Sequence, residues 1–282
     1  MRTTTTSLSF PPFTRTIKIL IAINCGVFLL QLFLTVAGYG RAADDIYRVF
    51  GLRPEAVVHG FVYQLITYGF LHGGFFHLFF NMLMLWMFGS MLERHWGSQR
   101  FWEFYLFGVF GAGVTTVVLA YTVGRFIHLP PQQITIGASG GIYAILMAAA
   151  MLFGDQEVFL FPFPFTMRLK YLVGILGLVA FVSALSGPSG TANIAHLGGL
   201  LFGYLYLKFV PRRGLMFAFS EGFYGVRNSY HRWKRDRAKK KFQVYMRDHQ
   251  QDRKQYFDEY GNFRPPNDHE KNGRGGPGGW VN

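Results

Sequence analysis

Six apolar runs, separated by short polar stretches, set the plan of the chain. They extend over about Ile17 to Ala37, Phe75 to Leu92, Phe101 to Val123, Ile134 to Phe153, Leu169 to Leu185 and Asn193 to Val210. A helix needs about 20 apolar residues to cross a bilayer, so each run predicts a membrane-spanning helix and the whole an all-α membrane protein. Between the first two runs, Gly38 to Gly74 breaks the pattern with Arg41, Asp44, Asp45, Arg48, Arg53 and Glu55 among aromatics. That stretch is too polar to span, and predicts structure lying at the membrane surface. Three regions follow from this pattern: an N-terminal arm (residues 1–16), a six-span unit (17–210) and a polar tail (211–282).

Composition agrees with the pattern. Half of the 282 residues are hydrophobic, 15% are charged and the mean hydropathy is +0.19, against about 25% charged in an average soluble domain. The net charge of +13 raises nucleic acid as a partner, but residues 211–282 hold 16 of the 28 Lys and Arg and 8 of the 15 acids. The excess therefore lies mostly after the last apolar run, where a cytoplasmic tail would put it, and no nucleic-acid partner is expected. Within the tail, Phe217 to Tyr260, with Lys239-Lys240-Lys241, reads either as an amphipathic helix on anionic lipid or as a solvated charged segment. Gly261 to Asn282, rich in Gly, Pro, Asn and charge, predicts disorder. The single cysteine, Cys25, excludes an intrachain disulfide and a multi-cysteine zinc site.

Lys and Arg also set the expected orientation. With the N-terminus inside, eight of them fall on inner segments before the tail and four on outer ones. Both termini are then cytoplasmic in a multi-pass plasma-membrane protein. The arm is Ser/Thr-rich and lacks acids, but no small-residue cleavage site follows it, so it reads as an inside-facing arm rather than a transit peptide. The Phe-rich stretch Phe159 to Phe165 is expected as a loop at the inner interface.

Candidate chemistry lies in three runs. The second opens with His77 and Asn81, four apart and so on one helical face. The fourth carries Ser139 within Gly137-Ala138-Ser139-Gly140-Gly141, and the sixth opens with Asn193-Ile194-Ala195-His196. All three run from outside to inside, so these side chains share one layer near the outer surface. Polar groups inside a membrane are costly and mark function by default. Small residues at 137 and 141, and at 199 and 203, allow the fourth and sixth helices to approach closely. Ser139 and His196 then form a nucleophile and its general base. No acid lies in this layer, so the pair is a dyad with its imidazole oriented by packing. Asn81, His77 and the Ser139 backbone N–H are candidate oxyanion donors.

These motifs together resemble the rhomboid intramembrane serine proteases: Gly-Ala-Ser-Gly at 137–140, His72 with His77-x-x-x-Asn81, and Ala195-His196-x-x-Gly199-x-x-x-Gly203. The resemblance covers roughly residues 38 to 210. It implies a six-helix rhomboid-like bundle with an interfacial first loop. It also implies Ser139 and His196 as the catalytic pair, with His77, Asn81 and Ser139 forming the oxyanion hole. Tyr143 is expected to stack on His196 and Gly137 to permit close approach, while His72 and Glu93 support the second span and the first loop. The family's Trp-Arg pair in that loop is not seen here as such. The substrates implied are transmembrane proteins in the lipid bilayer, with no cofactor and no metal.

Other classes fit less well. A membrane metalloprotease needs His-Glu-x-x-His, which is absent. An aspartyl mechanism needs two carboxylates close enough to share a proton, yet Glu93, Glu103 and Asp155 all border the inner ends of spans, and Glu93 reads on its own as an exposed charge. A transporter would carry polar groups through the full depth. A catalytically silent relative that binds transmembrane clients remains the alternative, and loss of Ser139 or His196 would be its mark.

Overall fold

The computed structural model describes residues 11–159, 166–185, 191–211, 214–248, Tyr260 and Asn262. The first ten residues of the arm, residues 160–165 of the Phe-rich stretch and nearly all of Gly261 to Asn282 lie outside the described residues. The chain divides into two units, Met1–Ala218 and Phe219–Asn282.

Each apolar run forms a helix. These are α1 (Arg15–Val36), α5 (Phe75–Met84) continuing into α6 (Ser90–Trp96), α7 (Ser98–Thr122), α8 (Ser139–Phe153), α9 (Leu169–Ala184) and α10 (Thr191–Phe209). Arg15–Val36, Phe75–Trp96 and Ser98–Thr122 are long and apolar enough to cross a membrane, and Ser139–Phe153 and Leu169–Ala184 are shorter apolar helices. Between α5 and α6, Leu85–Gly89 winds as a wider π-type turn. Large apolar side chains face outward along α1 (Leu29, Phe33, Val36) and α9 (Leu178, Val179, Phe181). Apolar surface on that scale marks a membrane-facing protein.

The fourth run departs from its expected bounds. Helix α8 starts at Ser139 rather than near Ile134, because the preceding residues are held in extended structure. Thr135 exchanges both backbone hydrogen bonds with Leu52 at 2.8 and 2.9 Å, and the Gly137 N–H donates to the Tyr68 carbonyl at 3.0 Å. Gly137 then takes φ +126°, a conformation open to glycine but strained for other residues.

The first loop is built from α2 (Gly40–Phe50), α3 (Pro54–Val58) and α4 (Gln64–Thr67), followed by a 3₁₀ turn at Tyr68–Phe70. Without the Trp-Arg pair, Gln64 ties the loop together. It accepts from the Arg53 N–H at 3.0 Å and donates to the Val49 carbonyl at 2.9 Å. The fully buried Tyr68 hydroxyl donates to the Val109 carbonyl at 2.8 Å, pinning the loop to α7.

At the centre, α10 packs against α7, α8 and α9. Lipid tails are as apolar as leucine, so helices in a membrane associate by close packing rather than by escape from water. At Gly199 a Cβ would sit 2.1 Å from the Gly140 carbonyl oxygen, and at Gly203 2.8 Å from that of Ala144. The α8 and α10 backbones therefore touch, through the expected Gly199 and Gly203 on α10 but through Gly140 and Ala144 on α8; a Cβ at Gly141 would instead meet Tyr105 and Val109 of α7, and one at Gly137 would meet His77. Between α8 and α9 in the chain, β1 (Glu157–Phe159) and β2 (Thr166–Arg168) pair antiparallel, and β2 leads into α9. Asp155 near the base of this pair is held below the usual carboxylate range by Lys170, 2.6 Å away.

Candidate active site

Backbone contact between α8 and α10 determines which side chains meet. His196 Nε2 lies 2.8 Å from Ser139 Oγ. The Tyr143 ring, one turn after Ser139 on α8, stacks flat on the imidazole, with centroids 4.2 Å apart and planes within 4°. Among the described residues the other ring nitrogen, Nδ1, is buried without a partner, so no carboxylate among them orients this histidine. Packing against Tyr143 does.

The facing wall comes from α5. His77, Asn81, Ser139, Tyr143 and His196 line one cleft of about 420 Å³. Asn81 is buried, and its amide donates to the His77 carbonyl at 2.9 Å, which leaves its second N–H uncommitted. His77 Nδ1 receives the Gly73 N–H at 3.4 Å. With Nδ1 accepting, the proton of a neutral imidazole resides on Nε2. That nitrogen lies 2.8 Å from where a Cβ on Gly137 would stand. Any side chain at 137 would collide with it, so close approach and positive φ both require glycine there.

His72 stands behind this wall. Its ring is fully buried and meets His77 edge to face at 5.0 Å, and its carbonyl accepts from the Tyr47 hydroxyl at 2.8 Å. Burial, with the nearby His77 adding to it, pushes the His72 imidazole down to about 4. It does not line the cleft. Glu93 is not an exposed charge, and it is not part of this site. It is 3% exposed and lies 16 residues beyond His77, about 24 Å along the helix at 1.5 Å per residue. Its carboxylate accepts from the Thr14 hydroxyl, from the Thr16 and Ile17 N–H groups at 2.9 and 3.2 Å, and from the Ser98 hydroxyl at 2.6 Å. It thus caps the start of α1 and joins α6 to α7, rather than supporting the first loop.

The sequence reading passed over the walls of the cleft. Phe76, Phe80 and Met84 on α5 and Leu176 on α9 close its sides, and Phe76 stacks on Phe80 at 6.5 Å. Their i, i+4 spacing was a visible signal, but in a helix with phenylalanine at four of its first six positions it stood out from nothing. Among the described residues, no group of three or more His, Cys, Asp or Glu could hold a metal ion.

An apolar helical unit with a serine and a histidine hydrogen-bonded inside a cleft defines a helical membrane protein with the groups of a serine hydrolase. Comparison with known proteins gives the family. A model of the Rhomboid domain matches residues 59–213, and the chain belongs to the rhomboid family. It is 30% identical over 178 residues to Rhomboid protease GluP of Bacillus subtilis (strain 168), covering 62% of this chain and 32% of that protein. It is 33% identical over 153 residues to Putative rhomboid protease YdcA of the same organism, covering 53% of this chain and 67% of that one. RHOMBOID-like protein 4 of Arabidopsis thaliana is 30% identical over 167 residues, covering 59% of this chain and 39% of that protein. The chain thus spans between about a third and two thirds of the length of these relatives.

Proposed function

We propose that this protein is an intramembrane serine protease that hydrolyses peptide bonds in or beside transmembrane segments of other membrane proteins. The observation that carries this reading is the 2.8 Å contact between Ser139 Oγ and His196 Nε2 in a cleft between helices. In the tautomer with its proton on Nδ1, His196 accepts the Ser139 proton as Oγ attacks the scissile carbonyl, then passes it to the leaving amine. The tetrahedral intermediate bears an oxyanion. The free N–H of Asn81, the Nε2–H of His77 and the Ser139 backbone N–H are its donors, and a donor of this kind is worth roughly 3–4 kcal/mol in the transition state. Water then releases the acyl-enzyme by the same base.

In this reading α1, the continuous α5–α6, α7, α8, α9 and α10 are six spans of a rhomboid bundle. The first loop sits at the interface, and the Lys and Arg distribution puts both termini in the cytoplasm. The Ser139 layer then faces the outer side, where water and an unwound substrate segment reach it. An intact helix hides its carbonyls, so substrates carry small or helix-weakening residues near the cut. The Phe76–Phe80 and Leu176 walls, which close the cleft on its sides, must part for a substrate helix to arrive from the lipid between α5 and α9.

The test is cleavage of a single-span substrate by purified protein in detergent, beside Ser139→Ala. Cleavage by the wild type alone supports the reading. Equal cleavage by both removes Ser139 from the mechanism. If neither form cuts and a fluorophosphonate leaves Ser139 unlabelled, a silent client-binding protein is the better account.

A further inference from the structure

Nine Lys and Arg against three acids lie beyond the protease-like unit on α11 (Leu215–Asp248), a single helix of 34 residues that carries +6 of the net +13. It follows α10 after five residues, and all of it lies past the end of the Rhomboid match at residue 213. Its first turn is anchored: the Leu215 N–H donates to the Glu103 carboxylate, on the first turns of α7, at 2.8 Å. An anion there complements the partial positive charge of a helix N-terminus. Between residues 227 and 241 there are eight Lys and Arg against one acid, Asp236. Among the described residues, none of Arg227, Arg232, Lys234, Arg235, Lys239 and Lys240 makes an ion pair, since the ion pairs found involve only Asp155.

The helix has one distinctive face. Tyr230, Trp233, Arg237 and Val244 recur at spacings of three, four and seven, and so fall on one side. Tyr230 and Trp233 stack at 6.1 Å, the Arg237 guanidinium lies 5.0 Å over the indole, and both rings are more than half exposed. At 100° per residue, Arg227, Lys234 and Lys240 flank this stripe, while Arg232, Arg235 and Lys239 lie on the opposite face.

We propose that α11 docks along the stripe of Tyr230, Trp233 and Arg237 onto a bilayer surface of anionic phospholipid headgroups. Trp and Tyr favour the headgroup level, where their ring sits in apolar surroundings and the polar edge stays wet. The flanking Lys and Arg meet phosphates, and juxtamembrane basic segments are drawn to anionic leaflets within a Debye length of the surface. Chain connectivity selects this partner over others. A helix that begins five residues after a membrane-spanning α10 is tethered beside lipid phosphate at high effective concentration. The proposal rests on the reading that α10 spans the bilayer, but not on the protease activity.

The experiment uses the full chain in nanodiscs, with Cys25→Ser removing the only cysteine and Ser229→Cys carrying an environment-sensitive dye near the stripe. In phosphatidylcholine mixed with phosphatidylglycerol, dye emission is expected to shift to the blue and to be quenched by lipid-borne spin labels, at least twofold more than in phosphatidylcholine alone. Molar salt, which shortens the Debye length to about 3 Å, should abolish most of the difference. The triple variant Lys234→Gln, Arg237→Gln, Lys240→Gln should lose the signal, and Arg232→Gln, Arg235→Gln, Lys239→Gln should keep most of it. Equal quenching in neutral and anionic discs, or none in either, overturns the proposal. Equal loss in the two triple variants also overturns it, since bulk charge without a docked face would give that result. So does a signal that responds to an added RNA oligonucleotide but not to anionic lipid. Fluorophosphonate labelling of Ser139 in the same discs reports the proteolytic reading separately.

Discussion

The two ends of the long second helix, α5 and α6, treat polar groups in opposite ways. At the α6 end, the buried Glu93 receives four hydrogen bonds, from Thr14, Thr16, Ile17 and Ser98. At the α5 end, among the described residues, Asn81 keeps one N–H uncommitted after its bond to the His77 carbonyl, and across the cleft His196 Nδ1 has no partner. A buried polar group left unmade costs about 1–3 kcal/mol, so the Glu93 carboxylate is arranged for stability, although Thr16 Oγ1 and Ser90 Oγ at the same end have no partner among the described residues. The α5 end instead holds its donors open. The lesson is that burial alone does not mark a site in a membrane. Unspent bonding capacity facing a cleft does.

Four changes test that contrast, in falling order of effect. Ser139→Ala should reduce proteolysis to background, a loss of at least about a thousandfold, with the thermal midpoint held. Residual cleavage within tenfold of wild type would break the comparison at its open end. Asn81→Ala should lower kcat about a hundredfold or more and leave KM nearly unchanged. A raised KM at constant kcat would instead give Asn81 a role in ground-state binding. Glu93→Gln should do the reverse. Weakened charge-assisted bonds predict about 2 kcal/mol of lost stability, read as an earlier unfolding transition in detergent, while the folded fraction still labels at Ser139. Labelling lost ahead of unfolding would show that the two ends are coupled. Tyr143→Ala should cost about fivefold in kcat, matching the roughly 1 kcal/mol of a ring stack, and Tyr143→Phe should restore it. Failure of the phenylalanine variant would assign the work to the hydroxyl.

Much of this was legible in the sequence, for physical reasons. Apolar runs locate helices because lipid-facing and core-facing positions are both apolar in a membrane. His77, Asn81, Ser139 and His196 stood out because ionisable and amide groups are rare inside such runs. The glycines at 199 and 203 foretold backbone contact with α8. What escaped depended on partners distant in sequence. Helix α8 begins at Ser139 because Thr135 pairs with Leu52, 83 residues earlier. Glu93 read as a surface charge because three of its four bonding partners, 76 to 79 residues away at the start of α1, carry no marker of their own. The walls Phe76, Phe80 and Leu176 were hidden by the surrounding uniformity. In the tail the sequence left two readings open, and the stacked faces of Tyr230, Trp233 and Arg237 favour one of them.

The wider turn at Leu85–Gly89 is what lets one helix serve both ends. A π-type turn accommodates one residue more than a regular α-helical turn, and each residue advances the helix by about 100°. The insertion therefore acts as an angular offset, setting the azimuth of Glu93 independently of that of His77 and Asn81. In a uniform helix, a change that aimed one end would swing the other off its target. Here a fixed offset aims the cleft lining and the capping of α1 at their separate targets from one continuous helix, like two hands set at different angles on one shaft.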